Sequence, residues 1–491
     1  MNFSVIGLMQ AVLVIPLLAA AGVALTGLRP NLREGISLVS GALLFAVVWS
    51  LYQSVMAGDR SGWTLLELLP GLTISFRLEP LGILFCLIAS SLWMVTVLYS
   101  IGYMRGHGES NQTRFYALFA IAIASVGGIA LADNLLTLFI FYEVLTLSTY
   151  PLVTHAGTDK ARRGGRTCLG LLLGTSIVCF LPAIIGTWAV AGTLTFKEGG
   201  IFGDDITPVL LSLLLVLFVF GIGKAAVMPF HRWLPAAMVA PTPVSALLHA
   251  VAVVKAGVFA LVKVGVFIFG LDTLGTLAVT EWLLYLVAFG VLAASLVAMR
   301  QNNLKARLAY STISQLGYIS LGVLLATSAG LLGSALHIAM HAFGKITLFF
   351  CAGAILVASH KSEISDMHGL GRAMPLTMAA FFIASLSIIG LPPAGGSWSK
   401  WYLILGTLEA GQWLLMGVLM LSSLLNIAYL LPIPLKAFFA TDSTGSVGAG
   451  EAAGIREAPL TSLLAIMITT LMCLLLFFYP QPLYDLARSI G

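Results

Sequence analysis

The stretch LLSLLLVLFVFGIGKAAVMPFHRWLP, Leu210–Pro235, decides how this chain is read. An apolar run carries Lys224 within it, and Pro229 and the pair His231-Arg232 follow at once. A lysine or carboxylate at the centre of a bilayer costs roughly 2.5–3.5 kcal/mol on insertion scales. A proline there frees backbone carbonyls, which then need water or polar partners. A charge joined to a break therefore points to a polar or hydrated place inside the protein.

The rest of the chain supports a membrane setting. Of 491 residues, 59% are hydrophobic and 9% charged, against about 25% charged in an average soluble domain. Mean hydropathy is +1.01. Runs of roughly 20 apolar residues, each long enough to cross a bilayer, recur along the whole length. The expected fold is an all-α polytopic membrane protein, with residues 1–491 as a single membrane domain. The first apolar run lacks a basic leader and a small-residue cleavage site, so no signal peptide is expected. The net charge of +5 gives no pointer to nucleic acid. Cys86, Cys168, Cys179, Cys351 and Cys473 are scattered in apolar runs without CxxC spacing, so neither a metal cluster nor a disulfide frame is expected, and no cofactor.

Fourteen apolar segments are expected, at about 3–27, 35–57, 80–102, 115–132, 134–154, 168–192, 207–229, 241–268, 277–299, 304–327, 331–358, 374–404, 411–437 and 459–479. The connector near 438–458 is rich in Gly, Ala and Ser and reads as a flexible loop. With this count the loops of one side carry fifteen Lys and Arg and those of the other side four, namely Arg60, Arg77, Lys197 and Arg488. The positive-inside rule places the fifteen in the cytoplasm, which puts both termini on the outer side.

A faint internal repeat runs through the middle. DNLLTLFIFYEVLTLSTY, Asp133–Tyr150, aligns with NNLKARLAYSTISQLGYI, Asn302–Ile319, so that Asn134-Leu135 meets Asn303-Leu304. The same offset carries the break at Pro229 toward GLPPAGGSWSKWYL, Gly390–Leu403, a second proline-glycine break with a lysine. Each unit holds five spans, and an odd number inverts the second unit. Inverted repeats with interrupted helices at matching places point to an ion pathway.

Burial disfavours charge, so a lysine or carboxylate deep in the bundle can both gain and lose a proton. Glu143 and Lys224 form the natural pair, a structural ion pair being the alternative. His249 and Lys255 are six residues apart and do not share a face of a regular helix. They suit opposite sides of one water chain, with a packed histidine as the alternative. Lys263 lies near a helix end and is expected to reach toward the interface. His337, His341 and Lys345 recur every four residues and stack along one helical face. Three titratable groups in a row make a proton wire. A zinc site is disfavoured because the lysine in register repels a cation and no carboxylate lies on that helix. Lys400 follows the second break and is expected to be deep, exchanging protons with one side.

FYEVLTLSTYPLVTH, GKAAVMPFHRWLPAAMVAPTPVSALLHAVAVVKAGVF, LKARLAYSTISQLGY, HIAMHAFGKITLFFCAGAI and GLPPAGGSWSKWYL together resemble the antiporter-like subunits of respiratory complex I, membrane-bound hydrogenases and Mrp-type sodium/proton antiporters. The likeness covers nearly the whole chain. It is most similar to the D-type subunits of the Mrp antiporters and their hydrogenase counterpart. The resemblance implies fourteen helices, with helices one to three in 1–113 and two inverted five-helix repeats in 114–270 and 271–440. A loop and helix fourteen follow in 441–491, and helices seven and twelve are broken. It implies that Glu143 and Lys224 match the family's Glu–Lys pair and Lys255 the lysine of helix eight. His337, His341 and Lys345 match the helix-eleven motif, and Lys400 the terminal residue of helix twelve. It also implies partner membrane subunits in a bacterial inner membrane and transport of protons, with Na⁺ carried by the whole complex. Redox-driven pumping and a non-conducting scaffold are the competing functions. The intramembrane charges disfavour the scaffold.

Overall fold

The computed structural model describes residues 4–203, 205–440 and 455–490. Most of the connector expected as a flexible loop lies outside the described residues. In lipid a backbone must satisfy its own polar groups, and a helix does so within one segment. Among the described residues, eleven helices are long and apolar enough to cross a membrane, from Val5–Leu25 to Leu460–Phe478. Two shorter apolar helices, Pro208–Gly221 and Pro375–Ile389, accompany them. The chain is thus helical and polytopic, with 11 to 13 of the expected spans apolar by length and composition. The remaining one is Leu304–Leu324, a regular helix whose Lys305, Arg307 and Gln315 make it more polar than the others.

Among the described residues, helical structure has one exception. Gly62–Leu69 and Leu72–Arg77 pair as an antiparallel hairpin between the helices Pro30–Met56 and Pro80–Gly106. Alternation in this segment was masked by its leucines, so the strands escaped notice in the sequence.

Both expected interruptions are present. The helix Pro208–Gly221 stops, and Lys224 sits in a single 3₁₀ turn, Gly223–Ala225. The chain then turns before a short helix, Trp233–Ala236. The second interruption separates Pro375–Ile389 from Gly396–Glu409. The segment Thr242–Phe269, with its two π-helical turns, is buried from end to end and forms the axis of the molecule.

Hydrogen bonds gather the connections on two faces. On one face Arg33 reaches Thr113 and Gln112, Arg114 reaches the carbonyl of His155, and Lys305 the carbonyl of Ala240. On the other face the hairpin meets Asp133 and Asn134, which meet Thr195, and Lys197 meets Phe267. The two asparagines of the sequence repeat do the same work. Asn134 caps its helix by accepting from the N–H of Thr137 at 2.8 Å, and Asn303 does so from Ala306 at 3.2 Å. Each also forms a lone antiparallel bridge to a later segment, at Thr195 and Glu363 respectively.

Gly257 is what lets the axis helix touch the first break. A Cβ there would stand 2.3 Å from the backbone N of Ala225 and from the carbonyl carbon of Lys224. Overpacking of this kind costs typically 1–3 kcal/mol. Gly257→Ala is therefore expected to lower stability by about that much, read as a lower thermal midpoint of the purified protein in detergent. An unchanged midpoint would mean that the turn around Lys224 yields freely.

Candidate functional site

The breaks hold their lysines by a shared chemistry. Lys224 Nζ donates to the Tyr142 carbonyl at 2.8 Å and to Thr146 Oγ1 at 2.5 Å. It also lies over the Tyr142 ring, 3.1 Å from its centroid. The Tyr142 hydroxyl accepts from the backbone N–H of Lys224 at 3.0 Å, and the indole N–H of Trp233 donates to the Gly223 carbonyl at 3.0 Å. These bonds satisfy groups that the interrupted helix exposes. At the second break Lys400 Nζ donates to the Ile389 carbonyl and to Ser423 Oγ, each at 3.0 Å. It sits 4.5 Å from the centroid of the Tyr318 ring. In both places a buried ammonium takes a carbonyl, a hydroxyl and an aromatic face.

Glu143 stands apart from this arrangement. It lies next to Tyr142 on the helix Leu135–Val153. Both its carboxylate oxygens are buried and take no hydrogen bond. No hydrogen bond joins it to Lys224, whose ammonium is occupied by Thr146 and the Tyr142 carbonyl.

Between the breaks the charges join up. Lys255 Nζ and His341 Nδ1 are 2.7 Å apart. The rings of His341 and His337 stack with centroids 5.8 Å apart. His337 Nδ1 meets Ser399 Oγ at 2.8 Å, and its Nε2 meets Gln315 Oε1 at 3.1 Å. Ser399 adjoins Lys400. Lys255, His341, His337, Ser399 and Lys400 thus form a buried row, bonded at Lys255–His341 and His337–Ser399 and joined by ring stacking and chain adjacency between them. Lys345, one turn beyond His341, donates to Ser311 Oγ at 2.8 Å, which also accepts from the Tyr429 hydroxyl at 3.0 Å. The Lys255 ammonium thus lies directly against a ring nitrogen of His341, where its charge would repel a cation.

His249 lies in the π-helical turn Leu247–Val251, against Phe349 with ring centroids 4.7 Å apart. Neither ring nitrogen has a hydrogen-bond partner. The structure brings it to the same buried axis as Lys255 but does not bond the two. Between Lys224 and Lys255 the contact is of backbone, through Gly257.

Several polar residues of the site were not singled out from the sequence: Tyr142, Thr146, Ser311, Gln315, Tyr318 and Ser399. For three of them a signal existed. Ser311, Gln315 and Tyr318 recur at spacings of four and three, the period of one helical face. Lys263 corrects the expectation more sharply. It does not reach toward the interface; it is fully buried, 2.6 Å from Glu79 Oε1. Glu79 is thus a buried carboxylate too. Glu34 is buried as well, 2.5 Å from Arg105.

Removing the carbonyl-and-hydroxyl cradle should separate geometry from charge. Thr146→Val is expected to keep the fold and to lower any proton flux through the chain several-fold, measured in vesicles. Full flux would show that the Tyr142 carbonyl alone positions Lys224.

With this geometry, comparison with known proteins becomes informative. Residues 132–426 match the family model described as NADH:quinone oxidoreductase/Mrp antiporter, TM. NADH-quinone oxidoreductase subunit N of Desulforudis audaxviator is 34% identical over 431 residues, covering 85% of this chain and 84% of that protein. Other curated relatives are longer, and the chain spans between 37% and 57% of their length. A chain of the membrane-bound sulfane sulfur reductase, an archaeal respiratory membrane complex, superposes with a TM-score of 0.86 at 23% identity, covering 99% of this chain and 97% of that one. A chain of the Mrp complex from Dietzia sp. DQ12-45-1b gives a TM-score of 0.86 at 23% identity, covering 98% and 96%. Taken with the interrupted helices and their lysines, these matches establish that the chain belongs to the NADH:quinone oxidoreductase/Mrp antiporter family of membrane subunits.

Proposed function

We propose that this chain is a proton-translocating subunit of a multisubunit monovalent cation/proton antiporter of the Mrp type, and within it a subunit of the D type. The observation that carries the reading is the buried line from Lys255 through His341, His337 and Ser399 to Lys400. Lys224 is the loading site. Its proton is held while Glu143 lies near and is released toward His249, Lys255 and Lys345 when that attraction weakens. Lys400 delivers to the outlet beside the second break. Fourteen helices, two inverted five-helix repeats in 114–270 and 271–440, and a bacterial inner membrane with both termini outside complete the proposal. The paired capping asparagines and their bridges support the repeat. Na⁺ travels elsewhere in the complex.

The 34% identity to an NADH-quinone oxidoreductase subunit favours a second reading, in which redox chemistry in partner subunits drives the same line. Purification of the native complex decides between them. Small antiporter subunits support the first reading; flavin or iron–sulfur subunits replace it with the second.

The loading role is tested at Lys224. A guanidinium keeps the charge but does not deprotonate. Lys224→Arg is expected to assemble and to lower proton flux in vesicles by about 100-fold, the scale of a lost proton-transfer group. Flux equal to wild type would leave the position needing only a fixed charge, and the loading mechanism would fall.

Orientation is tested by labelling. A cysteine placed in the 155–166 segment should react only with reagent on the cytoplasmic side, and one near Arg488 only from outside. The reverse pattern would invert the assignment of both faces.

A further inference from the structure

Lys263 and Glu79 form the buried end of a second charge ladder, one that leads from the axis helix to the face carrying the hairpin. Exposure rises along it step by step. The Lys263 side chain is 0% exposed and Glu79, 2.6 Å away, is 10% exposed. Asp133 is 14% exposed and Arg77, 2.8 Å from it, 42%. Lys263 also donates to the carbonyl of Ala132, the residue before Asp133. The hairpin holds the outer rungs, since Ser75 donates to Asp133 and Phe76 bridges Ala132. Gly82 allows the approach: a Cβ there would stand 2.2 Å from the Ala130 carbonyl oxygen, so the start of the Pro80–Gly106 helix can lie against the end of the helix Gln112–Leu131.

The inner end of the ladder shares a helix with the proton line. Lys255, Phe259 and Lys263 are spaced by four on the regular helix Val253–Val264 and stack on one face. At 1.5 Å rise per residue the two lysines are about 12 Å apart. Phe259 fills the interval. Its ring packs on Phe85 with centroids 4.9 Å apart, and Lys263 Nζ lies 5.7 Å from its centroid. A charge ladder that begins behind an aromatic pair, directly below a member of the line, has the layout of a gated port.

We propose that Lys263 and Glu79 are a proton-exchange station joining Lys255 to the hairpin face, with Phe259 and Phe85 as its gate. This inference rests on the function proposed above. The Lys263 ammonium gives its proton to the Glu79 carboxylate, leaving a neutral amine and a neutral acid. Glu79 passes the proton to Asp133 and the face, and regains its charge. The amine is reloaded from Lys255 when the aromatic pair parts. The groups that face Lys263 are Glu79 and Cys86 from the Pro80–Gly106 helix, Asp133 and the Ala132 carbonyl from the turn before Leu135, Arg77 from the hairpin, and the Phe196 ring at 4.4 Å.

The test uses the whole complex in liposomes. The double variant Glu79→Gln/Lys263→Met removes both charges together, so neither is left buried alone. It is expected to assemble, to lose at least tenfold in proton flux, and to lose the dependence of that flux on pH at the hairpin face. Wild-type flux with an unaltered pH profile would overturn the proposal and leave a structural pair. If the double variant does not assemble, Phe259→Leu decides. It should raise proton leak in the absence of driving cation, and an unchanged leak would overturn the proposal. Lys224→Arg run in parallel separates the two ideas. Normal transport in Lys224→Arg overturns the proposed function. Loss in Lys224→Arg with normal transport in the double variant overturns this inference alone.

Discussion

A buried ammonium must have acceptors, and the chain supplies them at a helix end in one place and from a neighbouring helix in the other. An intact helix spends its carbonyls on itself. At Ile389 the helix ends, and the freed carbonyl serves Lys400. At Lys224 the acceptor is the Tyr142 carbonyl of a neighbouring helix, joined by a hydroxyl and a ring face. These partners are neutral. A carboxylate in contact balances the ammonium's charge and is also a base that can take its proton; a carbonyl and a hydroxyl solvate the ammonium without offering such a base. The distinction is what separates Lys224, Lys345 and Lys400 from Lys263, which has Glu79 against it.

The rest of the architecture follows from the need to bring such lysines within reach of one another. A wholly buried axis segment gives Lys255 no route to solvent along its own surface. The long helix Ser328–Ser359 lays His337, His341 and Lys345 beside it. Leu304–Leu324 is polar on the face that meets them, which is why Gln315 and Ser311 find partners there and why the helix is the least apolar of those expected to span. Its polarity is a property of the site rather than a flaw in the membrane pattern.

Much of this was legible before the structure. Apolar periodicity placed the helices, and proline and glycine beside Lys224 and Lys400 marked both interruptions. The four-residue spacing of His337, His341 and Lys345 gave their shared face directly. What escaped was relational. Glu79 precedes a helix and Lys263 lies near the end of another, so each looked like a surface charge, and only tertiary packing buries them together. The hairpin was hidden because leucines fill both alternating positions of its first strand. The lack of a hydrogen bond between Glu143 and Lys224 was equally invisible, since helical position fixes depth but not which neighbour an ammonium turns toward.

The staple between the Trp233 indole and the Gly223 carbonyl bears on the speed of the device. A break in a helix is commonly pictured as a hinge, and hinge motions of domains take microseconds to milliseconds. Here the tryptophan ties the far side of the break to its near side, and the Tyr142 hydroxyl ties the turn to a neighbouring helix. The backbone of the interruption is thereby braced. Movement is left to a four-carbon lysine stem and to rings, whose rotamer changes are fast compared with whole-helix motion. For the relay proposed above, the consequence is a pace set by local reorientation and electrostatics, within a braced frame.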